Sequence, residues 1–322
     1  MLLQITHETH YAYAPAVETA QHLAHLKPLQ TASQELLEHR LEIAPEPAQR
    51  SESADVYGNA RAFFALESTH EELSVVARSL VRTSAPVLAP AVARELPWEQ
   101  VRERLRYRKG AAYDPAVEFV FPSRYVPRHE DFAAYAQGSF TPGRPLIEAA
   151  QDLNQRMFRD FIYDGDSTEI NTPAVQALAH RRGVCQDFAH IMIGCLRTLG
   201  LPARYVSGYL LTQPAPGETR LVGADASHAW VSVYLPGAEG PGGWADFDPT
   251  NGRQPGEDYV ALALGRDFAD VSPMRGVLHG GARHTLKVGV TVEPVIEEES
   301  PLGENAALPF SQNPQNLEHP TP

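Results

Sequence analysis

Cys185 and Cys195 are the only cysteines in the chain, ten positions apart in a run that reads as one helix. Ten steps of about 100° leave their side chains on different faces and at different heights, so no disulfide joins them there. Their surroundings differ. Cys185 follows Gly183-Val184 at the helix start, where unpaired backbone N–H groups and the helix dipole favour a thiolate. Cys195 lies mid-helix among Ile193, Leu196 and Leu199, the setting of a core thiol. A thiolate nucleophile needs an imidazole to take its proton and later protonate the leaving group, and a third residue to fix the ring's tautomer. His228 opens the strand-like run His228-Ala229-Trp230-Val231-Ser232-Val233, and in Trp244-Ala245-Asp246-Phe247-Asp248 the alternation puts both aspartates on one face. If the two runs form a hairpin across the loop from Pro236 to Gly243, Asp248 comes within diagonal reach of His228, and Asp246 fits less well.

Other polar residues near this set have structural explanations. His190, five residues beyond Cys185, faces elsewhere, and Asp187 is placed to satisfy first-turn N–H groups. His180, Arg181 and Arg182 precede the cysteine and either bias its charge or form a solvated helix end. There is no HExxH, no paired CxxC and no calcium-loop pattern, so neither a metal nor a cofactor is expected.

The elements that must hold these residues are legible from periodicity. Leu146, Ala150, Leu153, Met157 and Phe161 form the apolar stripe of a helix whose first turn contains Pro145. Thr172 and Pro173 are an N-cap and N1 pair for a short helix ending near His180. The cysteine helix is apolar on nearly every side until Gly200 and Pro202 stop it. Strands are expected at 203–211, 227–235 and 244–248, with a further alternating pattern at Leu286, Val288, Val290 and Val292. The first eighty or so residues alternate as strands, with a turn at Asp55-Val56-Tyr57-Gly58-Asn59 and no evident cluster of reactive side chains.

The expected division is an N-terminal β-rich domain at 1–84, a connecting region at 85–144 with a short helix near 98–105, a catalytic core at 145–293, and a disordered acidic tail at 294–322. A formal charge of −13 disfavours nucleic acid and anionic lipid as partners. No apolar run is long enough for a membrane helix and no signal-peptide layout opens the chain, so a cytoplasmic location is expected.

Four motifs in order resemble the bacterial transglutaminase-like family, a branch of the papain-like cysteine peptidases. They are Gly183-Val184-Cys185-Gln186-Asp187-Phe188-Ala189-His190, Ala203 to Tyr209, His228-Ala229-Trp230-Val231, and Phe247-Asp248-Pro249-Thr250-Asn251. The N-terminal strands around His7 and Tyr11, and the stretches Gly265-Arg266-Asp267 and Asp270-Val271-Ser272-Pro273, resemble the segments that flank that core. The resemblance implies an α+β fold, with a papain-like transglutaminase core in which a helix bearing the cysteine packs on an antiparallel sheet bearing the histidine and aspartate. It also implies roles: Cys185 as nucleophile, His228 as general base and acid, and Asp248 as the residue that orients the ring. The substrate would be a peptide or protein amide. Water as second acceptor would make the enzyme a peptidase or amidase, and an amine would make it a transglutaminase. A module that keeps the fold only to bind protein or peptide is the other class of function. No upstream glutamine or tryptophan stands where a second oxyanion donor is wanted, and Tyr163 is left unassigned.

Overall fold

The computed structural model describes residues 1–86, 95–110, 112–165, 167–212, 227–237, 243–281 and 283–296. The acidic tail expected beyond 294 therefore lies almost wholly outside the described residues. Along the chain come β1 (Leu2–Ala24), β2 (Gln34–Ala44), β3 (Gln49–Ala54), β4 (Ala60–Leu66), β5 (His70–Thr83), α1 (Trp98–Arg104), a 3-10 turn (Pro115–Val120) and α2 (Glu130–Ala136). Then follow α3 (Leu146–Asp160), β6 (Ile162–Tyr163), α4 (Ala174–His180), β7 (Arg182–Gly183), α5 (Cys185–Thr198), β8 (Ala203–Leu210), β9 (Ser227–Leu235), β10 (Gly243–Phe247), β11 (Tyr259–Gly265), α6 (Phe268–Val271), β12 (Met274–Gly280) and β13 (Arg283–Pro294).

The alternation at the N-terminus becomes a single 23-residue strand, β1, the spine of a curled antiparallel sheet. Its first half pairs with β5 on one side and β13 on the other; its second half pairs with β4 and β12. The turn at 55–59 joins β3 to β4, with the Asp55 carboxylate accepting from the N–H groups of Tyr57 and Asn59 at 2.8 and 2.9 Å. Residues 274–293, grouped by sequence with the catalytic core, pair with β1 of this first sheet. Alternation marks a strand, but it does not say which sheet receives it.

The second sheet has the order β10-β9-β8-β11, and α5 packs on it. The stop of α5 is a Schellman arrangement: Gly200, with φ 81°, donates to Arg197 O at 2.9 Å, and Leu201 donates to Leu196 O at 3.0 Å. Helix α3 begins at Leu146 after Pro145, as its stripe predicts. Helix α4 departs by one residue: Pro173, not Thr172, is its N-cap, and the Thr172 hydroxyl instead accepts from Glu169 N–H at 2.9 Å.

The two sheets share a core in which Leu3, Ile5, Val81, Val290 and Val292 pack on Tyr209, Val260 and Leu262. The free edge of β11 is met by two side-chain amides of the first region that imitate a neighbouring strand. Gln34 both donates to Ala261 O and accepts from Ala261 N–H, at 2.8 and 2.7 Å, and Asn59 does the same with Leu264 at 2.7 Å each. An edge strand's unpaired backbone groups are thereby satisfied. Among the described residues, no helix is long and apolar enough to cross a membrane.

Candidate active site

Helix α5 starts at Cys185 because of what its neighbours leave room for. A Cβ at Gly183 would sit 2.5 Å from the Asp187 carboxylate, so glycine lets that side chain fold back over the helix start. There Asp187 accepts from Val184 N–H at 2.9 Å and from the Thr168 hydroxyl at 2.7 Å, the role expected of it. Burial lifts its carboxyl above the usual range, against the pull of those two bonds. The N–H of Cys185 itself belongs to the first turn, where helical donors have no intrahelical acceptor. Cys185 is partly buried, whereas Cys195 is fully buried and its thiol is pushed up to about 12 by that burial. The two thiols thus differ in access as the sequence suggests.

Strand β9 carries His228 opposite Gly208 of β8, and Gly208 has no room for a Cβ because the Trp230 ring lies 2.5 Å from where one would be. In the hairpin, Asp246 pairs with Ser232 and Phe247 with Val231. Asp248 follows just past the end of β10, in the turn that bridges back to Arg253. From there its Oδ2 receives the His228 Nε2–H at 2.7 Å, the Tyr259 hydroxyl at 2.6 Å and the Asn251 amide at 2.7 Å. Its Oδ1 accepts from the N–H groups of Thr250 and Asn251 at 2.9 and 3.2 Å. Asp248 is wholly buried, which by itself would favour the neutral acid, yet these donors hold its carboxyl below the usual range.

For His228, burial disfavours charge, but the hydrogen bond to Asp248, the neighbouring Cys185 sulfur and the charges of both raise the ring to about 10. Nε2 is committed to Asp248, so Nδ1 is the nitrogen that remains for the thiol. The structure thus joins His228 to Asp248 and leaves Cys185 near enough for its charge to act on the ring. It gives Asp246 other work: accepting from Trp230 Nε1–H at 3.0 Å and from the Ser232 hydroxyl. His190 is buried against Tyr125 and accepts from Phe268 N–H at 3.2 Å, a bond that needs a neutral ring. Burial lowers it to about 4, outweighing the nearby Asp267. Arg181 stacks over Tyr135, and Arg182 pairs with Asp164 at 3.0 Å.

Two functional neighbours escape sequence reasoning. Asn251 stands in the quoted Asp-Pro-Thr-Asn motif, where its place three residues after Asp248 hints at a turn bond but not at the ring. Tyr259 reaches the site from β11 with no local signal. Among the described residues, no group of three His, Cys, Asp or Glu side chains converges as metal ligands.

Comparison with known proteins bears on family and fold. Residues 3–82 match the bacterial transglutaminase-like N-terminal region, and residues 133–249 match the transglutaminase-like superfamily. An uncharacterized protein of Mycobacterium tuberculosis is 39% identical over 297 residues, 90% of this chain and 92% of that protein. A protein-glutamine gamma-glutamyltransferase of Pseudomonas aeruginosa is 39% identical over 103 residues, only 30% of this chain and 15% of the enzyme. A crystal structure from Cytophaga hutchinsonii, described provisionally as a cysteine protease, covers 92% of both chains with a TM-score of 0.69 at 22% identity, a likeness of fold.

Proposed function

This chain belongs to the transglutaminase-like superfamily, and from that premise we propose that it is a cysteine enzyme performing thioester-mediated acyl transfer on peptide or protein amides. The Cys185 sulfur attacks the amide carbonyl carbon while His228 holds the thiol proton. The tetrahedral intermediate collapses as the C–N bond breaks, and His228 delivers that proton to the departing amine, leaving an acyl thioester on Cys185. Water or a second amine then adds to the thioester with His228 as base, and the thiol returns. Asp248 keeps Nε2 engaged so that Nδ1 serves the sulfur throughout.

One observation carries this reading: a buried histidine held at 2.7 Å by a buried aspartate, its free nitrogen left for a half-buried thiol at a helix N-terminus. A binding module would have no use for that arrangement. The test uses a glutamine-containing peptide and a labelled primary amine. Label on the peptide indicates transfer; free acid alone indicates hydrolysis. Cys185→Ser should remove either product by at least about 10³-fold with the fold intact. Turnover retained in that variant would refute the assignment.

A further inference from the structure

Attack on a carbonyl moves a full negative charge onto its oxygen, and a single donor leaves that charge poorly stabilised. The Cys185 N–H is one donor, and the neighbouring strand β6 carries a candidate for another. Parallel pairing aligns Tyr163 with Gly183, two residues before the nucleophile. The backbone is tied on both sides of this residue, Ile162 N–H to Arg181 O and Asp164 N–H to Gly183 O, each at 2.9 Å. The ring stands edge-on to Phe188 in the first turn of α5, with centroids 6.5 Å apart and planes at 86°. The tethered strand thus fixes the backbone of Tyr163 beside the start of α5, with its ring against Phe188. Yet the side chain is 58% exposed, and among the described residues its hydroxyl has no hydrogen-bond partner.

We propose that the Tyr163 hydroxyl donates the second hydrogen bond to the oxyanion, acting with the backbone N–H of Cys185. The inference rests on the acyl-transfer reading above and adds a catalytic residue to it. No proton leaves the tyrosine: it donates while the C–O bond becomes single and withdraws when the carbonyl re-forms. Burial and the adjacent Cys185 charge both raise the phenol's pKa, which keeps it a donor at neutral pH.

Two reactions of the same thiol separate this role from any other. Acylation by p-nitrophenyl acetate passes through an oxyanion, whereas alkylation by iodoacetamide, a displacement at saturated carbon, does not. Tyr163→Phe should slow the release of p-nitrophenol about 10²-fold and leave the alkylation rate of Cys185 within about twofold of wild type. Its melting temperature should hold, since the lost hydroxyl bonds nothing within the described protein. Unchanged acylation would overturn the proposal, and so would equal slowing of both reactions, which would make Tyr163 a residue that positions the sulfur. A wild-type protein that is alkylated at Cys185 but never acylated there would instead remove the acyl-transfer reading, and this inference with it.

Discussion

The first sheet and the sheet that carries His228 both bury histidines, and they treat them in opposite ways. His7 and His22, both buried, and His39, half-buried, are all lowered to about 4 in the first sheet, with loss of water the dominant cause in each. His228 in the second sheet is as secluded, yet is raised to about 10. A nearby carboxylate is not the difference. His25 lies 4.0 Å from Asp55, and His190 feels Asp267, yet burial lowers both rings. What separates His228 is a 2.7 Å hydrogen bond to a carboxylate whose other lone pairs are already filled, with the Cys185 sulfur as a second raising influence. Charge inside a protein survives where hydrogen bonds replace lost water, and proximity alone does not supply them.

The change expected to disturb this contrast most is Asp248→Asn. An amide can still lie against Nε2, but it removes the charge that keeps the ring protonated and lets the tautomer reverse. The rate of acyl transfer should fall by about 10²–10⁴-fold. The pH dependence of stability should change with it. Because the folded pKa of His228 exceeds the unfolded value near 6.5, the native state holds a proton that the unfolded chain gives up. The stabilisation is whole below about 6.5 and disappears as pH rises through about 10. Denaturant titrations between pH 7 and 10 should show this alkaline loss in the wild type and little of it in Asp248→Asn. Equal losses in both would mean that the aspartate does not hold the charge.

The first sheet predicts the reverse slope. His7, His22 and His39 stay neutral in the fold while the unfolded chain protonates near 6.5, so stability falls as pH drops from about 6.5 toward about 4. Each ring contributes up to about 1.4 kcal/mol per pH unit in that window. His7 is the cleanest to remove, since glutamine can keep a hydrogen bond to the Tyr209 hydroxyl, which His7 Nδ1 shares at 3.0 Å. His7→Gln should make the acid limb shallower by one proton and leave the alkaline limb alone. An acid limb of unchanged slope would show that His7 titrates in the fold as it does outside it.

Tyr259→Phe sharpens the comparison on a smaller scale. It deletes one of three donors on Asp248 Oδ2 and leaves the other two. A hydrogen bond to a charged group contributes about 1.5–3 kcal/mol, so a loss of about tenfold in rate is expected. The alkaline limb should move to higher pH, because a carboxylate that loses a competing donor holds the His228 proton more firmly. A rate within twofold of wild type would count Tyr259 as packing only.

How much of this was readable follows from how local each signal is. The start of α5 was, because Gly183, an apolar run and the Gly200 stop all lie within one stretch of chain. So were the order of Cys185, His228 and Asp248 and the bounds of β9, which the alternation places at 227–235 as observed. Tyr259 was hidden because its hydroxyl arrives from another strand. The sheet that receives β13 was hidden for the same reason, being fixed by pairing with β1 across most of the chain's length. The cluster of buried histidines was hidden too, since alternation marks inward positions but says nothing of the partners found there.

Asp246 and Asp248 mark the limit of local reasoning, because two residues of the same type on one face of a strand differ only in register, and register depends on the loop. The pairing of Asp246 with Ser232 turns its carboxylate to Trp230 and Ser232, while Asp248 lies one strand step farther on, at the ring. Asp246→Asn keeps one oxygen to accept from Trp230 and loses only the charge that faces Arg204. Its rate should therefore stay within about threefold of wild type, with a modest fall in melting temperature as the Trp230 contact loosens. A collapse as deep as that of Asp248→Asn would mean that the ring takes its orientation from Asp246 in solution. The contrast between the two sheets would then rest on the wrong carboxylate.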